Sequence, residues 1–168
     1  MSAPAVVIRK ATEADVPGIV ELWVEFVDFH ARYESVFRRA PDGHEHFAAT
    51  VRERLADADA AVFVAEGGTG LAGYCMARVN KRNPELGGWE FGDIHQLAVT
   101  EGRRRSGVGR LLFEAVRAWF VERGVKRMEL RVLRANPAST AFWRRLGFHP
   151  YMEALWQEVG PSAASTLP

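Results

Sequence analysis

Between residues 89 and 133 the hydrophobic period changes twice. Trp89 to Val99 reads as a strand, and Lys126 to Leu133 (KRMELRVL) alternates charged and apolar residues as a strand does. Between them Val108, Leu111, Leu112, Ala115, Val116, Trp119 and Phe120 recur at steps of three and four, the stripe of an amphipathic helix over 108–123, with Gly124 placed to end it. Two strands joined through a helix of that length run parallel, because the crossover carries the chain back to the same edge of the sheet. The class is therefore α/β.

The other elements fall around this unit. Val6 to Ala11 reads as a strand, and Thr12 to Asp15 offers helix N-caps before a stripe of Val16, Ile19, Val20, Trp23, Phe26 and Val27. A second helix is expected from His44 to Ala58, on Phe47, Val51 and Leu55; residues 31–43, with Pro41 and Gly43, read as loop or broken helix. Ala61 to Ala65 and Leu71 to Val79, joined by a glycine-rich turn, form a hairpin signal. Asn136 and Pro137 open a short helix that runs to Leu146 and stops at Gly147, and Tyr151 to Val159 is a final strand candidate. The expectation is a mixed, mostly antiparallel central sheet of about six to seven strands with flanking helices.

The 168 residues suit one domain, expected over 1–160, with a flexible tail over 161–168. The longest apolar run, Ala60 to Ala65, is far shorter than the roughly 20 residues a membrane helix needs. The first residues, MSAPAVVIRK, lack the basic and apolar regions of a secretory signal, so a cytoplasmic protein is expected. Cys75 stands alone, which excludes a disulfide framework and a cysteine zinc site. His30, Tyr33, His44 and His46 show no ligand spacing, and no metal is expected. A net charge of +1 gives no global attraction to nucleic acid or to an acidic membrane, so any site for a polyanion is local.

Such a site is offered by residues 103–110, RRRSGVGR, at the entry to the long helix. A helix start presents about four unpaired N–H groups and about half a positive charge. Gly107 and Gly109 keep side chains away from those amides, and Arg103, Arg104, Arg105 and Arg110 add charge, a combination suited to a pyrophosphate. A dinucleotide fingerprint requires a third glycine where Leu112 stands, and a kinase-type phosphate loop requires Lys and Ser or Thr where Arg110 and Leu111 stand. A nucleic-acid patch lacks interleaved aromatic residues here.

The segment Leu97 to Leu112, LAVTEGRRRSGVGRLL, resembles the cofactor motif of the GCN5-related N-acetyltransferases (GNAT), with Arg104, Gly107 and Gly109 at its defining places. Ile8 to Leu22 (IRKATEADVPGIVEL) is similar to the family's opening strand and helix, and Asn136 to Phe148 (NPASTAFWRRLGF) to its later motif, so the resemblance spans about residues 6–159. It implies the acyl-CoA N-acyltransferase fold and acetyl-CoA as acyl donor, with no metal. Leu97, Ala98 and Val99 would align the pantetheine and acetyl group. The amides of Arg105, Ser106, Gly107, Val108, Gly109 and Arg110 would hold the pyrophosphate, and Asn136 would bond near the pantetheine. The donor would enter where the strands 89–99 and 126–133 splay. The acceptor wall would come from about 20–47 and 80–90. Relatives often dimerise through the last strand, so a homodimer is a further expectation.

Acetyl transfer from a thioester to an amine requires proximity, a neutral nucleophile and help for the charge that develops on the carbonyl oxygen and sulfur. An alkyl amine with a pKa of about 10.4 is mostly protonated at pH 7, so a group must take the proton. Glu90, Asp93 and His95 are the candidates. The resemblance, counted back six places from the strand end at Val99, favours Asp93; His95 would share its face in a regular strand and has a suitable ordinary pKa. The family's tyrosine acid is replaced by Trp143, so the thiolate leaves unassisted or a hydroxyl such as Tyr151 serves. Enzymes that acetylate ribosomal-protein N-termini carry a glutamate where Arg131 stands, which disfavours that substrate. The reading is an acetyltransferase acting on a primary amine of a small molecule or peptide, with neither nucleic acid nor membrane as partner. The rival is a noncatalytic module that binds acyl-CoA or nucleic acid through the same arginines.

Overall fold

A computed structural model describes residues 6–68 and 70–159. The tail expected over 161–168, and residues 1–5 of the opening segment, lie outside the described residues. The chain runs β1 (Val7–Lys10), α1 (Val16–His30), α2 (Gly43–Ala56), β2 (Ala60–Gly67), β3 (Gly70–Lys81), β4 (Glu90–Val99), α3 (Val108–Glu122), β5 (Met128–Leu130) and α4 (Pro137–Arg145). The strands form one sheet in the order β1-β2-β3-β4-β5. The first three pairings are antiparallel and β4–β5 is parallel, as the helix between them requires. Residues 31–42 form a loop with one 3-10 turn at Ser35–Phe37, and Gly43, expected in that loop, already begins α2.

The sheet has five strands among the described residues, fewer than the six to seven expected. Residues 151–159 form no strand, and Met152, Leu155, Trp156 and Val159 are all more than 70% exposed. The physical reason lies in the pattern: apolar residues at 151, 152, 154, 155 and 156 do not alternate, so no coherent face can pack on the sheet. Beyond Leu130 the strand expected to reach Leu133 is also lost, because β4 pairs with β5 only from Gly92 to Ile94.

Helices cover both faces. Val16, Ile19 and Leu22 of α1 and Phe47 and Val51 of α2 pack with Val62, Val64, Tyr74, Met76 and Ala98, and the rings of Trp23 and Phe47 stack at 4.6 Å. On the other face Val108, Leu112, Phe113, Val116, Trp119 and Phe120 of α3 pack on Phe63, Cys75, Ala77 and Ile94, with Trp143 of α4. Cys75 is an interior hydrophobe whose thiol pKa burial pushes up. The turn into α1 is held by Arg9, which donates to Asp15 at 2.7 and 2.8 Å, while Asp15 accepts from the Thr12 amide at 2.8 Å. No helix among the described residues is long and apolar enough to cross a membrane.

One irregularity matters for the site. Met76 pairs with Gln96 and Ala77 with Ile94, so His95 is an extra residue, a bulge in β4. Before it, Ile94 faces α3, and a side chain at Gly92 would point into Phe120. After it the phase reverses: Leu97 and Val99 face α3, while Gln96 accepts a hydrogen bond from the Tyr74 hydroxyl at 2.9 Å and Ala98 packs under α1 and α2.

Candidate active site

The glycine-containing loop lies where the sequence placed it, between β4 and the start of α3. Gly107 caps α3 at φ +90°, a backbone region that strongly favours glycine, and a Cβ there would meet nothing within 4 Å. Its carbonyl accepts the first helical bond from Leu111 at 3.1 Å, and the amides at the start of the helix have no carbonyl beneath them. Arg105 also adopts a left-handed conformation, at φ +61°. Ser106 donates to the Arg103 carbonyl at 2.5 Å, which fixes the turn. Arg105, Gly107 and Arg110 are exposed and Val108 is buried.

Gly109 is under less constraint than Gly107. A Cβ on it would lie 3.4 Å from Phe142 and 3.6 Å from Leu97, ordinary van der Waals contact, so α3 at this point packs directly against α4 and β4. Arg104 turns away from the helix start. Its Nε donates to the Val99 carbonyl at 3.2 Å, its Nη2 to Glu25 at 3.2 Å, and its guanidinium lies 4.8 Å from the Phe29 ring centre. Glu25 also accepts from the Thr100 hydroxyl at 3.0 Å and the Glu101 amide at 2.7 Å, tying the loop to α1. Asn136 is buried as the N-cap of α4, its side-chain oxygen accepting from the Ser139 amide at 3.1 Å.

Asp93 and His95 line one cavity of about 170 Å³, together with Arg54 of α2, Met76, Ala77, Arg78 and Asn80 of β3, and Arg131 just past β5. The cavity sits at the bulge, where β4 and β5 cease to pair. Asn80 Nδ2 donates to Asp93 at 3.3 Å and Asn80 Oδ1 accepts from Arg78 at 2.7 Å; Arg78 also donates to Asp57 at 2.9 Å. The Arg78 bond, then the Asp59 amide, hold the Asp57 carboxyl below the usual range. Glu90 stands apart: exposed, it pairs with Lys81 at 3.4 Å and borders a separate hollow with Trp89 and Arg127.

Other candidates found ordinary roles. Trp143 is packed among Phe113, Phe142 and Phe148 at ring distances of 6.0, 4.9 and 5.4 Å. Tyr151 donates to Glu129 at 2.5 Å, and Glu129 is also bonded by Arg82 and Arg127. His30 is buried with Nδ1 2.7 Å from the Phe26 carbonyl, and His46 pairs with Asp42 at 3.1 Å. Among the described residues no three His, Cys, Asp or Glu side chains gather as metal ligands. Arg54, Arg78 and Asn80 belong to no sequence motif; the one signal for the last two is their alternate placement as polar residues at the end of a largely apolar strand.

A helix start opened by Gly107 next to splayed β4 and β5 coincides with a match to the Acetyltransferase (GNAT) family over residues 23–148. The chain belongs to that family. It is similar to a streptothricin acetyltransferase of Streptomyces lavendulae, 33% identical over 93 residues, 55% of this chain and 46% of that protein. It is also similar to an uncharacterized N-acetyltransferase, YobR, of Bacillus subtilis, 29% identical over 63 residues, 38% of this chain and 26% of the relative. The chain thus spans less than half the length of either relative. In fold it is similar to a tetramutant of the BH1408 protein of Bacillus halodurans, with a TM-score of 0.80 at 22% identity over 91% of this chain and 99% of that one. An aminoglycoside acetyltransferase from an uncultured soil metagenomic sample, with a TM-score of 0.67 at 20% identity, covers 92% of this GNAT chain with 97% of its own.

Proposed function

We propose that this GNAT protein is an acetyl-CoA-dependent N-acetyltransferase that moves an acetyl group to a primary amine by direct attack in a ternary complex. The observation that carries the reading is the pairing of two half-sites across one strand. On the α3 side, Leu97 and Val99 end β4 beside a helix start that Gly107 leaves bare. On the α1–α2 side, Asp93 and His95 share a cavity at the bulge. The relatives' names, streptothricin acetyltransferase among them, support acetyl transfer to a small-molecule amine.

The amides from Arg105 to Arg110 would hold the pyrophosphate of the donor, with exposed Arg105 and Arg110 adding charge. Arg104 acts indirectly, by fixing the Val99 end of β4 and the loop against α1. Asn136 starts α4, which closes the same region beside Gly109. The acceptor nitrogen attacks the thioester carbonyl, the C–N bond forms, the C–S bond breaks and sulfur leaves as the thiolate. The proton released by nitrogen passes to Asp93, directly or through water. Asp93 is oriented by Asn80, whereas His95 is exposed. With Trp143 committed to the core, the thiolate, at a pKa of about 8.5 on the cysteine scale, leaves without a side-chain acid.

The test is a thiol-release screen with acetyl-CoA across amine classes. Release of CoA that requires an amine, with the acetylated amine identified by mass, is the expected result. Tight acetyl-CoA binding without turnover on any amine would overturn the reading in favour of a noncatalytic module.

A further inference from the structure

Resting on that reading of the site, we propose that the acceptor carries a negatively charged group, a carboxylate or a phosphate, near its amine, and that Arg131 with Arg54 binds it. The charge around the cavity is lopsided. Its wall presents three guanidinium groups, Arg54, Arg78 and Arg131, against one carboxylate, Asp93. The flanking carboxylates are already engaged. Asp57 accepts from Arg78 at 2.9 Å and lies 3.8 Å from Arg54. Glu129, beside Asp93 in the parallel register, is held by Arg82, Arg127 and Tyr151. Arg131 has no carboxylate partner among the described residues, and Arg54 has only the long contact to an acid that Arg78 has already claimed.

A guanidinium at a cavity wall with its donors unspent is suited to a two-oxygen anion. The volume, about 170 Å³, equals that of about six waters, so the bound part is small. Geometry orders the two charges: Asp93 stands on β4 within the stretch paired to β5, while Arg54 enters from α2 and Arg131 lies just past the last β4–β5 pair, where the strands part. An acceptor that places its ammonium towards Asp93 and its anion towards the arginines satisfies both. A polycation would place several charges against three arginines, and an amine without an anion would leave Arg131 and Arg54 unanswered.

The experiment measures kcat/KM by thiol release, expressed per neutral amine because an adjacent anion also raises the amine's basicity, for pairs matched except at the anion. The pairs are α-amino acids against their amides, and O-phosphoethanolamine against ethanolamine, with spermidine and kanamycin as polycations. The two pairs separate carboxylate from phosphate. The expected result is at least a tenfold preference for the charged member of one pair, and low activity with the polycations. Arg131→Ala, at an exposed position, lowers that preference ratio about tenfold, and Arg131→Lys restores part of it; melting temperatures for both variants report that the fold is kept. Acetylation of neutral or polycationic amines at equal or greater efficiency overturns the anion assignment and leaves the acetyltransferase reading intact. No turnover with any amine overturns both.

Discussion

Replacing Gly107 separates backbone strain from anion binding. Any other residue there must adopt φ near +90°, at about 1–2 kcal/mol, and since a Cβ would meet nothing within 4 Å no clash adds to it. Gly107→Ala and Gly107→Glu therefore share one stability loss, read as a fall in melting temperature of about 2–8 °C. They differ in what they do to a bound pyrophosphate. A carboxylate about 5 Å from one phosphate charge is repelled by about 1–3 kcal/mol at an effective dielectric constant of about 20–80. Two such charges give at least about 2 kcal/mol, or about thirtyfold in Kd. Calorimetric titration with acetyl-CoA should show the Glu variant binding about thirtyfold or more weakly than the Ala variant while both melt alike. Affinities of the two variants within threefold of each other would refute the placement of the pyrophosphate at this helix start.

Asp93→Asn should lower kcat for thiol release about a hundredfold or more; an unchanged kcat would move the proton to His95 or to water. Gly92→Ala places a methyl group 2.6 Å from atoms of the Phe120 ring, which is fully buried, and should cost about 1–3 kcal/mol in chemical denaturation, with an unaltered midpoint ruling the packing account out. The bond from Arg9 lowers the Asp15 pKa from 3.8 to about 2, so the stability it contributes is complete above pH 4 and lost as pH falls through 2. Solvent around the partly exposed Arg9 limits this to about 1 kcal/mol, and Asp15→Asn should flatten the acid limb of a stability–pH profile; an identical limb in both proteins would contradict it.

Local chemistry made much of this legible. The stripe from Val108 to Phe120 and the glycine at 107 are sufficient to place α3 and its cap, since period and φ are properties of the segment itself. The bulge is not such a property. Trp89 to Val99 reads as one regular strand, and only its pairing with β3 reveals that His95 is supernumerary. Regular alternation would put Asp93, His95, Leu97 and Val99 on one face; the bulge divides them. Arg104 misleads for a similar reason. Its charge reads as a phosphate ligand until Glu25, 79 positions earlier, is folded against it. Arg54 and Arg131 belong to elements far apart in the chain, and nothing in either segment announces the shared wall.

That supernumerary residue has a further consequence. With it, β4 behaves as two short rods of opposite facing: Asp93 and His95 line the cavity proposed for the acceptor, and Leu97 and Val99 lie on the α3 side proposed for the thioester arm of the donor. Selectivity can then be rewritten in the first rod while the second keeps its grip on a common donor. Excising His95 would rejoin the rods and set their two tasks in conflict on one surface.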